Sequence, residues 1–157
     1  MITAYRVFNS IYTSSWSDGE GSFRYGGRWN SRGQRVLYAS ASLALATLEV
    51  LVHIDDEVIL DDYSFGEVTF SEELILSVED LTRLPTDWGK IPAPDEICKI
   101  GDAWIAGGES VVLRVPTAIL PRECNYIINL SHDDIDKVIF GKPERFIFDK
   151  RLGFRTV

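Results

Sequence analysis

The sequence predicts an α+β fold: one compact domain, residues 1–157, in which mixed or antiparallel strands pack with a few helices. Three observations carry this expectation. The apolar stretches are mostly short and bounded by Gly, Pro, Ser or Asp. Only two segments, starting near Leu43 and Asp95, have clear helical spacing. Strands and helices do not alternate as a parallel βαβ sheet requires. A length of 157 residues suits one core, and a chain of this size buries roughly 70% of its unfolded surface. No repeat, low-complexity tract or linker interrupts it.

Taken in order, Ala4–Phe8 (AYRVF) reads as a first strand, with Tyr5 and Val7 on one face and Arg6 on the other. Asn9–Gly27, rich in Ser, Gly and aromatics, reads as a long loop anchored by Trp16 and Phe23, of a length that is often functional. Gly26 and Gly27 permit close backbone approach just before Arg28, Trp29 and Asn30. Val36–Ser40 is a strand with Val36 and Tyr38 on one face. Ser40 or Ser42 can cap a helix over Leu43–His53, whose Leu45, Leu48 and Val52 recur at helical spacing. Glu49 is four residues from both Leu45 and His53 and therefore shares their face.

Val58–Leu60, Glu67–Phe70 and Leu74–Val78 are short strand-like runs separated by acids and Gly66. Leu81–Pro94 is a connector. Asp95 can cap a helix that runs through about Ile105 and ends at Gly107-Gly108. Glu109–Val115 and Cys124–Leu130 are strongly apolar strands. Ser131–Asp136 resembles a helical turn, and Lys137–Phe140 and Arg145–Asp149 close the chain as strands.

Composition bounds the chemistry. The chain has 24 acidic against 16 basic residues, a net charge of −8. A direct nucleic-acid contact needs a basic face, so none is expected of this chain. The N-terminus lacks a basic, apolar leader and no segment approaches the ~20 apolar residues of a membrane span, so a cytoplasmic protein without membrane contact is expected. Cys98 and Cys124 form no CxxC, which fits a reducing compartment. There is no Rossmann glycine motif, Walker lysine or HExxH, and only two histidines, so no metal is expected. A Cys124–His132 thiol–imidazole pair is not singled out by spacing, and a core cysteine is the better reading of Cys124.

Glu49 stands out by contrast. It is the only ionisable residue from Ala39 to Val52, in a chain where 25% are charged. Buried carboxylates are costly unless paired, so it marks either a site or the wet edge of the helix. Arg28, after two glycines, suits planar recognition of phosphate or carboxylate; a structural pairing with Glu49 or an acidic loop is the alternative. Tyr38 offers a stacking ring and a hydroxyl, or is a core aromatic. Arg6 is a cation on a strand that should be half buried, or an edge-strand charge. Thr117 and Asn129, bounding apolar strands, fit turn or capping roles as well as a site.

The run GGRWNSRGQRVLYASASLALATLEVLVH, then VVLRVPTAILP and NYIIN, resembles the RES domain, a family named for its Arg, Glu and Ser residues that supplies the toxins of bacterial RES–Xre toxin–antitoxin pairs. The likeness runs from YRVF to FDKRL. It implies an ADP-ribosyltransferase-like fold that takes NAD as substrate rather than as cofactor. The implied activity is cleavage of NAD by hydrolysis, or by phosphorolysis with inorganic phosphate as co-substrate. Transfer of ADP-ribose to a protein is the alternative, and a non-catalytic regulator binding a nucleotide or an antitoxin a third. By motif, the catalytic set falls on Arg28, Tyr38 and Glu49, and NAD binding on Arg6, Arg28, Asn30, Tyr38 and Thr117. Thr117 stands where the family has serine, which keeps a hydroxyl and adds a methyl. Scission of the nicotinamide bond passes through an oxocarbenium-like centre that a carboxylate can stabilise. The implied partner is an Xre-type helix-turn-helix antitoxin in a hetero-oligomer that makes any DNA contact, with homodimerisation of this chain as a further expectation.

Overall fold

The structure, a computed structural model, describes residues 1–54 and 62–152. The expected strand Val58–Leu60 lies outside the described residues. The frame is an eight-stranded sheet. Its strands are β1 (Ile2–Asn9), β2 (Val36–Ser40), β3 (Tyr63–Phe70), β4 (Ile75–Ser77), β5 (Val112–Pro116), β6 (Cys124–Asn129), β7 (Ile139–Phe140) and β8 (Glu144–Phe146). The order is β4-β5-β6-β2-β1-β3-β7, with β8 also paired to β3. Only β4 and β5 run parallel; the other pairs are antiparallel. Helices α1 (Glu20–Tyr25), α2 (Leu43–Leu51), α3 (Val78–Leu81) and α4 (Asp95–Gly107) complete it. Among the described residues no helix is long and apolar enough to cross a membrane.

One feature of the sheet positions everything that follows. β1 and β3 are laddered from Ile2↔Phe70 to Asn9↔Tyr63, and β2 and β6 from Val36↔Asn129 to Ser40↔Asn125. Between β1 and β2 the pairing is a single register, Tyr5↔Ser40. Two well-zipped half-sheets thus meet at one point. Continuing the register would set Arg6 against Ala39 and Val7 against Tyr38, but no ladder forms there, and the strands are free to line a cleft.

Three apolar clusters hold the halves. Ala4 and Phe8 of β1 join Trp16, Leu37, Phe70 and Ile128 on one side. Tyr5 and Val7 point the other way, packing with Ala46, Tyr63 and Phe148 beneath α2. Alternation therefore leaves Arg6 on the Ala4 and Phe8 side at the unzipped stretch. The third cluster sits under α4, where Ile97 and Trp104 meet Trp29, Val36, Leu113 and Ile127. Gly101 makes that contact close: a Cβ there would land on the Trp29 carbonyl. The left-handed Gly108 (φ 62°) ends α4. Ser42 caps α2, its hydroxyl accepting from the Leu45 amide at 3.1 Å.

The mixed sheet with a few helices matches the expected class; the differences have local causes. β3 is longer than Glu67–Phe70 because Gly66 lies inside it: the Trp16 ring fills the space a Cβ would take, so this glycine marks close packing, not a break. Asn9–Gly27 is not a plain loop, since it contains a 3-10 turn at Ser10–Tyr12 and helix α1. Trp16 anchors it in the core, whereas Phe23 is exposed and lies under the Arg35 guanidinium. On α2, Leu45 and Ala46 are buried, but Leu48 and Val52 are exposed, at 36% and 58%. The helix is apolar nearly all round, so periodicity could not choose its inward face.

Candidate active site

The unzipped junction of β1 and β2, covered by α2, encloses a cleft of about 1010 Å³. That is the upper end of small-molecule sites and large enough for a dinucleotide. Its walls are Arg6 and Tyr5 of β1, Tyr25–Trp29, Tyr38 and Ser40 of β2, Glu49 and Val50 of α2, Ile91 and Ala93 of the connector, Pro116–Ile119 after β5, and Asn125 of β6. Arg6 and Thr117, distant in the chain, are thus brought together with Arg28, Tyr38 and Glu49.

Glu49 is half buried and is held on one side. Its Oε1 accepts from Thr117 Oγ1 at 2.7 Å and from Asn125 Nδ2 at 2.6 Å. Its Oε2 has no hydrogen bond among the described residues. The carboxylate is therefore fixed in orientation while one oxygen is left to the cleft. It forms no ion pair with Arg28 among the described residues. Thr117 is only 2% exposed and its oxygen also accepts from the Ile119 amide at 3.2 Å, so it both turns the chain after β5 and holds Glu49.

Arg28 is oriented by backbone. Its Nη1 donates to the carbonyls of Trp88 and Lys90, both at 3.0 Å. Carbonyls orient a guanidinium without neutralising it, which leaves its full charge and its other donors for an anion in the cleft. Arg6 is on an interior strand, so the edge-strand alternative does not hold. It has no side-chain hydrogen bond or ion pair among the described residues, and burial lowers its pKa while the nearby Asp18 charge partly offsets this. A desolvated cation lacking a partner is one an anionic ligand would complete.

Tyr38 lines the cleft, but its hydroxyl is engaged below it, donating to Asn30 Oδ1 at 2.7 Å and accepting from the Trp29 amide at 3.0 Å. Burial pushes the phenol well above its ordinary range; neighbouring Cys98 and Asp102 add to this and the Trp29 amide opposes it. The group stays neutral and cannot serve as a base near neutral pH.

Asn30 does not line the cleft. It is 1% exposed, and its Nδ2 donates to the carbonyls of Ser22 (3.2 Å) and Ser31 (3.0 Å). Where the motif set it among the NAD-binding residues, the geometry places it behind Tyr38 as the pin of the glycine loop. Gly27 is required beside it, since a Cβ would sit 2.7 Å from the Tyr38 hydroxyl and 2.9 Å from Asn30 Oδ1. Asp102 of α4 secures the same loop by accepting from Ser31 N (2.9 Å) and Ser31 Oγ (2.5 Å).

Sequence reasoning missed Asn125 and Asp102. The signal for Asn125 was an amide inside an apolar strand; the signal for Asp102 was an acid one turn from Cys98 on the face α4 packs inward. Asn129 serves a turn, accepting from the Ser131 amide at 3.1 Å. His132 is also occupied: Nδ1 accepts from the Asp134 amide, so Nε2 carries the proton and donates to the Gly108 carbonyl, both at 3.0 Å.

A mixed sheet split at its centre, with a fixed carboxylate and two arginines lining one cleft large enough for a dinucleotide, defines an α+β protein built around a single ligand cleft. Residues 3–149 match the RES domain, and the chain belongs to that family. A protein named Toxin Res from Photorhabdus laumondii is 38% identical over 155 residues, covering 94% of this chain and 98% of its own. Another Toxin Res, from Yersinia enterocolitica, is 34% identical over 149 residues, covering 94% and 97%. A Prs ADP-ribosylating toxin from Sphingobium is 32% identical over 136 residues, covering 85% and 84%. A chain of the M. tuberculosis MbcT–MbcA toxin–antitoxin complex shares the fold, with a TM-score of 0.75 at 17% identity, over 93% of this chain and 84% of that one.

Proposed function

We propose that this RES-domain chain is a toxin that cleaves the nicotinamide–ribose bond of NAD. The observation that carries it is Glu49, a carboxylate pinned through Oε1 by Thr117 and Asn125 with Oε2 left to the cleft. When the C–N bond breaks, its electron pair goes to the pyridinium nitrogen and nicotinamide leaves neutral. The ribose carbon is left oxocarbenium-like, and Glu49 stabilises that charge. Water or inorganic phosphate then attacks the same carbon and loses a proton. No strong general acid is needed, which suits a cleft in which the Tyr38 hydroxyl is buried and engaged by Asn30 and the Trp29 amide. Arg28 and Arg6 hold the pyrophosphate, and the Tyr38 ring supports the nicotinamide end. Thr117 contributes through Glu49. NAD is the substrate, and no resident cofactor or metal takes part.

Nicotinamide release from NAD by purified protein, with and without phosphate, tests this. Phosphate-dependent turnover selects phosphorolysis, and turnover in its absence selects hydrolysis. A second outcome is favoured by the likeness to the Prs ADP-ribosylating toxin: labelled NAD would then leave a covalent mark on a protein target. The kinship with a toxin–antitoxin complex supports an antitoxin partner. We assign it the Xre helix-turn-helix type, acting with this chain in the cytoplasm and making any DNA contact itself, in keeping with the −8 charge here. Growth arrest relieved by co-expression with the neighbouring antitoxin gene supports the pairing; arrest that persists counts against it.

A further inference from the structure

We infer that Asn125 is a second substrate-contacting residue, which together with Glu49 reads a ribose cis-diol; this rests on NAD, or another ribose-bearing dinucleotide, being what the cleft takes. Asn125 lies on β6 opposite Ser40 of β2, beside the point where the two half-sheets meet. Its amide has two ends in different states. Nδ2 donates to Glu49 Oε1 at 2.6 Å. That bond fixes which end is which, because a carbonyl at that distance would oppose a carboxylate oxygen. The other end, Oδ1, is fully buried and has no hydrogen-bond partner, the one such side-chain atom among the described residues.

Leaving a buried carbonyl unpaired costs about 1–3 kcal/mol, and such groups call for an explanation. Here the orphan belongs to a residue lining the cleft and bonded to the carboxylate assigned to catalysis. Glu49 presents the same pattern, with Oε1 doubly engaged and Oε2 without a partner. One hydrogen-bonded pair therefore offers two unengaged acceptor oxygens, Glu49 Oε2 and Asn125 Oδ1. A vicinal diol supplies two hydroxyl donors on adjacent carbons, and a turn of the Asn125 amide toward the cleft that its residue lines would bring Oδ1 to one of them. The nicotinamide-side ribose has such a diol next to the carbon where the bond breaks. Asn125 thus has two tasks: Nδ2 sets Glu49, and Oδ1 receives one ribose hydroxyl.

The test is calorimetric binding of ADP-ribose and of its analogues lacking one or the other hydroxyl of the terminal ribose diol, to wild type and to Asn125→Ala. Nicotinamide release from NAD is followed in parallel. In wild type, loss of the hydroxyl that reaches Oδ1 should weaken binding about tenfold. In Asn125→Ala that preference should shrink to about twofold or less, because the acceptor is gone. The ratio is measured within one protein, so partial unfolding of the variant cancels from it. A hydroxyl preference undiminished in Asn125→Ala overturns the assignment, as does wild-type protein that binds none of the three. Hydroxyl-dependent binding that Asn125→Ala abolishes, without NAD turnover by wild type, would sink the proposed activity and leave Asn125 in place.

Discussion

Thr117 and Glu49, 68 positions apart, are joined by a 2.7 Å hydrogen bond from the threonine hydroxyl to one carboxylate oxygen. The bond ties the turn after β5 to α2 across the centre of the sheet. The bond needs only the hydroxyl, a group that serine also carries. Thr117→Ser is therefore expected to keep kcat/KM for NAD within about threefold of wild type. Thr117→Val keeps the shape, loses the donor, and should lower kcat/KM about tenfold to hundredfold. Steady-state nicotinamide release from the two variants makes the comparison.

Arg28 should act through charge and placement together. In Arg28→Lys the charge remains, but the Trp88 and Lys90 carbonyls are both held by Nη1 alone, and a single ammonium cannot keep them and also present the remaining guanidinium donors to an anion. KM for NAD should rise about tenfold with a smaller change in kcat. Limited proteolysis between Leu81 and Pro94 should also quicken, because the connector has lost its hold. An unchanged KM would contradict the anion-binding role.

Arg6 gives a prediction of opposite sign for stability and function. Its cation is desolvated and lacks a protein partner among the described residues. Arg6→Met removes that cost and keeps the packing stem, so the melting temperature should be at least that of wild type while NAD affinity falls about tenfold. A variant that melts lower and binds NAD as tightly as wild type would show that Arg6 is structural.

Tyr38→Phe orphans the Trp29 amide and Asn30 Oδ1 and should cost about 1–3 kcal/mol, a melting shift on the order of 5 °C. The phenol also sets an alkaline limit. Burial raises its folded pKa above the unfolded value of about 10. Above that pH the unfolded chain releases a proton that the folded chain keeps, so stability falls as pH rises. Burial also lifts the Tyr126 phenol to about 12, with the same sign. Denaturant melts from pH 8 to 11 should show declining stability in wild type and a shallower decline in Tyr38→Phe.

How much of this was legible in the sequence depended on distance along the chain. Arg28, Tyr38 and Glu49 fall within one short run, and Glu49 stood out because its neighbours carry no charge. The start of α2 at Ser42 was readable because capping is local; at α4 the expected Asp95 cap is not made, since Asp95 is the first helical residue and Pro94 holds the N-cap position without a side-chain bond. The inward face of α2 was not readable, since apolar residues surround it and only packing on Val7 and Tyr63 decides. Gly66 looked like a break because nothing nearby shows that Trp16, some fifty residues earlier, fills its place. Asn125 showed only as an amide in an apolar strand for the same reason: its partner Glu49 is 76 positions away and is met only through the β2–β6 register. Asn30 was over-read, since a motif gives adjacency to Arg28 and not which way a side chain turns.

The most direct test of the central claim is nicotinamide release from NAD by wild type and by Glu49→Gln, with both shown folded by their melting curves. Glutamine keeps the size and an oxygen for Thr117 but carries no charge to meet the developing cation. Wild type should turn NAD over, and Glu49→Gln should be slower by at least about a hundredfold with a similar KM. Equal turnover by the two proteins would contradict the assignment of Glu49 and with it the proposed use of the cleft.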